Sequence, residues 1–175
     1  MTDTYKAKYL PQFFPTFWKE EYGVYGIDFV NEICIGFVER ENGGYSYLLK
    51  DDFSKLELNP SELLKISLIN LESEFENCEI KEYKLQGGTV AFWNSDNDNF
   101  TAVRLLTSKY ISVLKNIFKS DFYFSIPDRD LITCWLTTDK NESEKFRNET
   151  IEDFENSEYG LSKNVYRFDE IKIYK

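Results

Sequence analysis

The sequence contains no histidine, and acidic residues outnumber basic ones by 31 to 21 over 175 positions. Histidine is the only side chain whose unperturbed pKa lies between about 5 and 8, so it is the usual proton carrier near neutrality. Its absence removes Ser–His and Cys–His nucleophile pairs, histidine-ligated zinc and His-carboxylate iron sites. Carboxylate or lysine catalysis is what remains, and no tuned pair of such groups stands out in the chain. The sequence therefore points away from an enzyme.

Long apolar runs are also missing. Stretches such as 131–136 fall far short of the ~20 residues that span a bilayer. The opening MTDTYKAKYLPQ lacks the apolar core of a signal peptide, so a cytoplasmic location is expected. Cysteine is scarce: Cys34, Cys78 and Cys134 lie far apart and form no C-x-x-C pair. Cys34 in EICIGF and Cys134 in LITCWL occupy strand-like apolar settings, which reads as reduced packing residues. A thiolate nucleophile needs a nearby cation, and none is close in sequence. Glycine pairs at 43–44 and 87–88 lack G-x-G-x-x-G spacing and no Lys-Ser or Lys-Thr follows them, so no phosphate loop is expected. No serine stands in a G-x-S-x-G setting, and no cofactor or metal is expected.

What the chain does have is apolar and aromatic mass. Hydrophobic residues make up 42 % and aromatics 17 %, with 15 Phe and 12 Tyr, which excludes a disordered chain. The length fits one domain, or one domain with an appendage. A net charge of −10 disfavours nucleic acid, whose binding needs clustered Lys and Arg, and equally disfavours anionic membrane surfaces. Two readings of that charge stand: solubility, or steering towards a basic partner.

Residues 1–32 are crowded with aromatics and punctuated by Pro11 and Pro15, which prevent a long helix there. They read as an aromatic arm packed on a single domain over 33–175, with Trp18 a candidate anchor if the arm faces a partner. Residues 32–40 and 45–50 read as a hairpin around Asn42-Gly43-Gly44. Asn59-Pro60-Ser61-Glu62 is a strong helix start, with Asn59 as cap and Glu62 completing a capping box. Leu64, Leu68, Leu71 and Phe75 then form an apolar stripe. A second strand pair is expected at 79–86 and 89–94, and a helix over 101–118. Strands follow at 122–126 and 131–137, a charged helix at 141–156, and one bent or two short strands over 165–174. The fold class is α+β, with a largely antiparallel sheet built from hairpins and helices packed on one face.

Three groups of residues invite a chemical reading. Asp96-x-Asp98 resembles the opening of a calcium loop, but Phe100, Thr101 and Thr107 stand where that loop needs a ligand, Gly and Glu. A helix start explains it better. Asp128, Arg129 and Asp130 place two carboxylates around a guanidinium after Pro127, as either a functional turn or ordinary turn chemistry. Residues 139–160 hold eight acids against three bases, half of the whole imbalance of ten. On a helix Glu142, Glu149, Glu152 and Asp153 fall within a broad acidic face that Glu155 extends. The alternatives are a solvated helix face and a docking surface for a basic protein.

The order of these pieces resembles the YtpQ-like family of small bacterial proteins of unknown function. The likeness rests on Gly43-Gly44-Tyr45-Ser46-Tyr47 with Asp52, Asn59-Pro-Ser-Glu-Leu-Leu with Asn70-Leu71, and Ala102-x-x-Leu105-Leu106. It continues in Phe124-Ser-Ile-Pro127-Asp-Arg129-Asp130-Leu-Ile and covers about 27–174. The resemblance implies an α+β domain in a bacterial cytoplasm and supplies no catalytic residues. The aromatic N-terminus and the acidic 139–160 stretch depart from the family as local elaborations.

Taken together, the expectation is a non-enzymatic acidic module that binds and neutralises a basic protein, such as a toxin, as immunity proteins do. An adaptor or regulatory domain is the alternative, and a carboxylate enzyme using Asp128 or Asp130 a further one. Charge reversal at Glu149, Glu152 and Asp153 separates the first two, because an adaptor with a conventional surface keeps its binding.

Overall fold

The computed structural model describes residues 9–41, 44–74, 82–84, 90–94 and 98–170. The expectations on Gly43, Phe75, Cys78, Gly87-Gly88, Asp96 and 171–174 lie outside the described residues. The chain divides into two compact units, Met1–Cys78 and Glu79–Lys175. The fold is α+β as expected, and each unit has its own antiparallel sheet built from hairpins, two sheets in place of one. No helix among the described residues is long and apolar enough to cross a membrane.

The N-terminal aromatics are not an arm laid over a finished domain. Tyr9–Pro15 is β1, Trp18–Glu21 a one-turn helix α1, and Gly26–Val30 is β2. β1 and β2 flank Ile33–Glu41 (β3), and Gly44–Tyr47 (β4) pairs with the far end of β3. A short helix α2 (Lys50–Phe53) and the longer α3 (Pro60–Glu74) complete the unit. β1 runs opposite β3 with Leu10 facing Val38, Gln12 facing Gly36 and Phe14 facing Cys34. The Phe13 N–H is bonded instead to Gln12 Oε1 at 2.8 Å, and its carbonyl accepts the Tyr47 hydroxyl at 2.9 Å. The odd-numbered residues of β1 therefore turn their backbone groups away from β3. Pro11 and Pro15 fall among them, where no partner strand asks for an N–H. Asn70 on α3 bonds the Tyr9 carbonyl at 2.9 Å, so this buried edge is satisfied by side chains.

Alternation along the strands separates two apolar faces. One gathers Tyr9, Phe37 and Leu48 with Leu63 of α3, and with Tyr25 stacked on Phe53. The other centres on Phe14, Val24 and Cys34, with Trp18 and Tyr47 packed against them. The Phe14 ring lies on bare backbone at Gly26 and Gly36. A Cβ on Gly26 would stand 2.5 Å from Phe14 Cε1 and 2.8 Å from the Ile35 carbonyl oxygen. Gly26→Ala is therefore expected to destabilise the first unit by about 2 kcal/mol, the middle of the overpacking range. Urea denaturation reads this directly, and an unchanged midpoint would contradict the packing. The capping box is formed as expected: Glu62 N–H donates to Asn59 Oδ1 and Asn59 N–H to Glu62 Oε2, each at 3.0 Å.

The second unit orders its strands β5-β6-β8-β7-β9: Glu82–Lys84, Val90–Asn94, Leu131–Leu136, Tyr123–Asp128 and Val165–Arg167. The expected helix over 101–118 is broken. Ala102–Leu106 is a 3-10 helix, Thr107 is extended, and α4 runs from Ser108 to Phe118. Thr107 causes the break. Its hydroxyl donates to the Arg104 carbonyl at 2.8 Å and accepts the Tyr110 N–H at 3.3 Å, ending one helix and capping the next. α5 (Lys140–Asn156) crosses from β8 towards β9. Phe146 stacks on Trp135 with ring centres 5.0 Å apart, and Thr150 bonds Ser125 at 2.9 Å. Phe124 and Cys134 are fully buried on the opposite face of the sheet.

Candidate functional site

The turn at 128–130 joins three segments of the second unit. Asp128 Oδ1 accepts the Asp130 N–H at 2.6 Å and Oδ2 accepts the Ser157 hydroxyl. Both of its oxygens are thus engaged in holding the turn. Asp128 also bridges Gly160, and the Pro127 carbonyl takes the Leu161 N–H at 2.9 Å. The Arg129 carbonyl accepts the Ala102 N–H at 3.0 Å, and its guanidinium lies 3.6 Å from the centre of the Tyr159 ring. That stacking draws on the negative ring face. Next to it, the nearly buried Arg104 pairs with Asp98, which also accepts the Phe100 N–H at 2.8 Å and the Thr101 hydroxyl at 3.4 Å. The sequence read Asp98 as helix-start chemistry. Its bonds fall on the Phe100 N–H and the Thr101 hydroxyl, ahead of the first helical residue Ala102 and with no side-chain cap bond to that helix, and it pairs with a buried cation.

Asp130 differs from its neighbours. Its side chain is one-fifth exposed, and Oδ1 is buried with no hydrogen-bond partner among the described residues. Burial raises its pKa above the usual 3.8, the charges of Asp128 and Asp98 add to that, and the Asn99 N–H and Arg129 oppose it. A carboxyl that holds its proton more tightly when folded favours the fold at low pH and costs stability as pH rises through its folded pKa. Asp130→Asn is therefore expected to leave stability unchanged below pH 3.8 and to raise it at neutral pH. Urea midpoints of both proteins across that range test this; an equal loss at every pH would contradict it.

α5 presents the acidic surface. Asp139 caps it by accepting the Asn141 N–H at 2.8 Å, and Phe146 and Thr150 fix which side is buried. Glu149, Glu152, Asp153 and Glu155 are exposed, while Glu142 is only partly so. Helical spacing puts Glu142, Glu149 and Asp153 along one flank and Glu152 and Glu155 on the crest. Lys145 approaches Glu149 at 3.9 Å. Among the described residues, no cation lies within ion-pair distance of Glu152, Asp153 or Glu155, and the last turn of α5 has no basic residue. Burial and then the charge of Glu152 raise the pKa of Asp153. Ile151 and Tyr159 are exposed hydrophobics in the same stretch, 38 % and 45 % accessible. Among the described residues, no group of three or more acids and cysteines is placed to hold a metal ion.

Trp18 belongs to the first unit and is half-buried, against Phe14, Tyr47 and Tyr22. Phe17 and Tyr22, members of the same aromatic run in the sequence, are more than half exposed beside the tryptophan, at 57 % and 56 %. The spacing of Trp18 and Tyr22 by one helical turn was the available signal of their contact. Within the second unit the Ser157 hydroxyl ties the end of α5 to the 128–130 turn.

A scan against protein-family models finds no match, and searches of curated proteins and of solved structures find none either.

Proposed function

We propose that the protein is a non-enzymatic acidic binding module that docks a basic protein on the exposed surface of α5, as an immunity-type inhibitor neutralises its toxin. The supporting observation is where the acids sit. Glu152, Asp153 and Glu155 crowd the C-terminal end of a helix, where the macrodipole already carries negative charge. Each carboxylate there costs about 0.3–1 kcal/mol, and neighbouring acids repel one another as well. Solubility alone would be served equally well by acids at the N-terminal end. A local electrostatic rule broken without compensation inside the described fold is what a docking surface looks like before its partner arrives. A Lys- or Arg-rich surface removes both penalties on binding, and Ile151 and Tyr159 supply apolar contact beside the charges.

Affinity capture from a lysate of the producing cells, at low and high salt, tests this. The wild type and a Glu149→Lys, Glu152→Lys, Asp153→Lys variant are compared side by side. The expected outcome is one basic protein held by the wild type, released by salt and not held by the variant, and neutralised in its toxicity assay. Equal retention by the variant would remove α5 from the interface.

A further inference from the structure

Lys19 of α1, Asp28 of β2 and Cys34 of β3 meet on the Phe14 face of the first unit. A single oxygen, Asp28 Oδ1, lies 2.5 Å from Lys19 Nζ and 3.5 Å from Cys34 Sγ. Lys19 Nζ and Cys34 Sγ thus converge on one carboxylate oxygen, and Thr16 Oγ1 sits 3.6 Å from the sulfur. The β2–β3 register pairs Asp28 directly with Cys34, so the sheet itself fixes this meeting. No cation is near Cys34 in sequence; the fold brings one. The cluster opens to solvent on one side: the Asp28 side chain is 78 % exposed and that of Lys19 20 %, while Cys34 is buried beneath them.

We propose that Lys19 and Cys34 form a covalent cross-link when the protein meets a hydroperoxide. In the first step the sulfur attacks one peroxide oxygen, an S–O bond forms and the O–O bond breaks. With hydrogen peroxide this gives Cys–SOH and water, a two-electron oxidation of sulfur matched by reduction of the peroxide. In the second step the neutral Lys19 amine attacks that sulfur. An S–N bond forms, the S–O bond breaks, and the departing hydroxide leaves as water with a proton from the nitrogen. The Asp28 carboxylate touches Nζ and is placed to pass that proton on. The product, Cys–S–NH–Lys, is the lysine counterpart of the sulfenamide formed with backbone nitrogen. It ties α1, with Phe17, Trp18 and Tyr22, to the central strand.

Both reactants rest in their protonated forms. Burial raises the Cys34 thiol, and although burial alone lowers Lys19, Asp28 and Cys34 together raise it overall. The thiolate is the species that attacks peroxide and the free amine the species that closes the bridge, so the yield should climb with pH.

The test treats the full-length protein with excess hydrogen peroxide across a pH series, followed by intact mass and peptide mapping. The expected result is loss of two hydrogens, a linked peptide joining Lys19 to Cys34, greater yield at higher pH, and reversal by a thiol reductant. Lys19→Arg keeps a cation beside Asp28 but should lose the link and accumulate oxygen on Cys34, and Cys34→Ser should show neither. Oxygen added to wild-type Cys34 without any linked peptide, or no reaction at that residue, would overturn the proposal, and the wild-type map decides this even if a variant folds poorly.

Discussion

Asp98→Ala should destabilise the second unit by about 3 kcal/mol, the lower end of the range for breaking a buried ion pair. Arg104 is the reason. Its side chain is only 4 % exposed, and Asp98 lies against the guanidinium. Removing the carboxylate takes a counterion from this buried charge, which costs far more than the pair itself contributes. The same change strips the Phe100 N–H and the Thr101 hydroxyl of their acceptor. Asp98 is about one-quarter exposed, so water reaches part of the vacated space and holds the effect to the lower end. Replacing both partners, with Arg104→Met alongside Asp98→Ala, should recover part of the loss, because an apolar pair has no charge to leave behind. Urea denaturation of the two singles and the double forms the cycle. Equal midpoints for Asp98→Ala and wild type would mean that the pair does not hold this corner of the unit.

The second large effect is opposite in sign for folding and for binding. Glu152→Gln, Asp153→Asn and Glu155→Gln together remove three negative charges from the C-terminal end of α5. They should stabilise the isolated protein by about 1 kcal/mol, from relief of the macrodipole and of mutual repulsion. Binding of the basic partner should weaken by at least ~10-fold, since close interfacial charge pairs couple by about 1.5 kcal/mol or more. The burial-raised carboxyl of Asp153, next to Glu152, marks the point where neutralisation helps folding most. A merely solvated face would give the first effect without the second.

What the sequence disclosed is what neighbouring residues decide. Asn59 and Glu62 announced their reciprocal cap because the two groups lie three residues apart on one chain segment. The pairing of β3 with β4 and the span of α5 were readable for the same reason. The first 32 residues misled because Pro11 and Pro15 look like breaks, when they only occupy outward positions of β1 that a partner strand never addresses. That placement depends on pairing with β3, where Pro11 meets Phe37 and Pro15 meets Ile33, and nothing local encodes it. The helix over 101–118 was misjudged at one residue: Thr107 fits a helical pattern by spacing, yet its hydroxyl serves two turns at once. The turn at 128–130 was visible as a cluster of charges, but its duties came from Ser157, Tyr159 and Ala102, which are distant in sequence. Likewise the acids of α5 were countable, whereas their lack of described counterions in the last turn required the fold.

The most direct test of the central claim is the salt dependence of affinity between the purified basic partner and this protein, for wild type and for Glu152→Gln, Asp153→Asn, Glu155→Gln. Titration calorimetry at several salt concentrations gives Kd for each. The account predicts a wild-type Kd that weakens steeply as salt screens the charges, and a variant that binds more weakly at low salt with a shallower dependence. Identical affinities and identical salt dependence for the two proteins would contradict docking through α5.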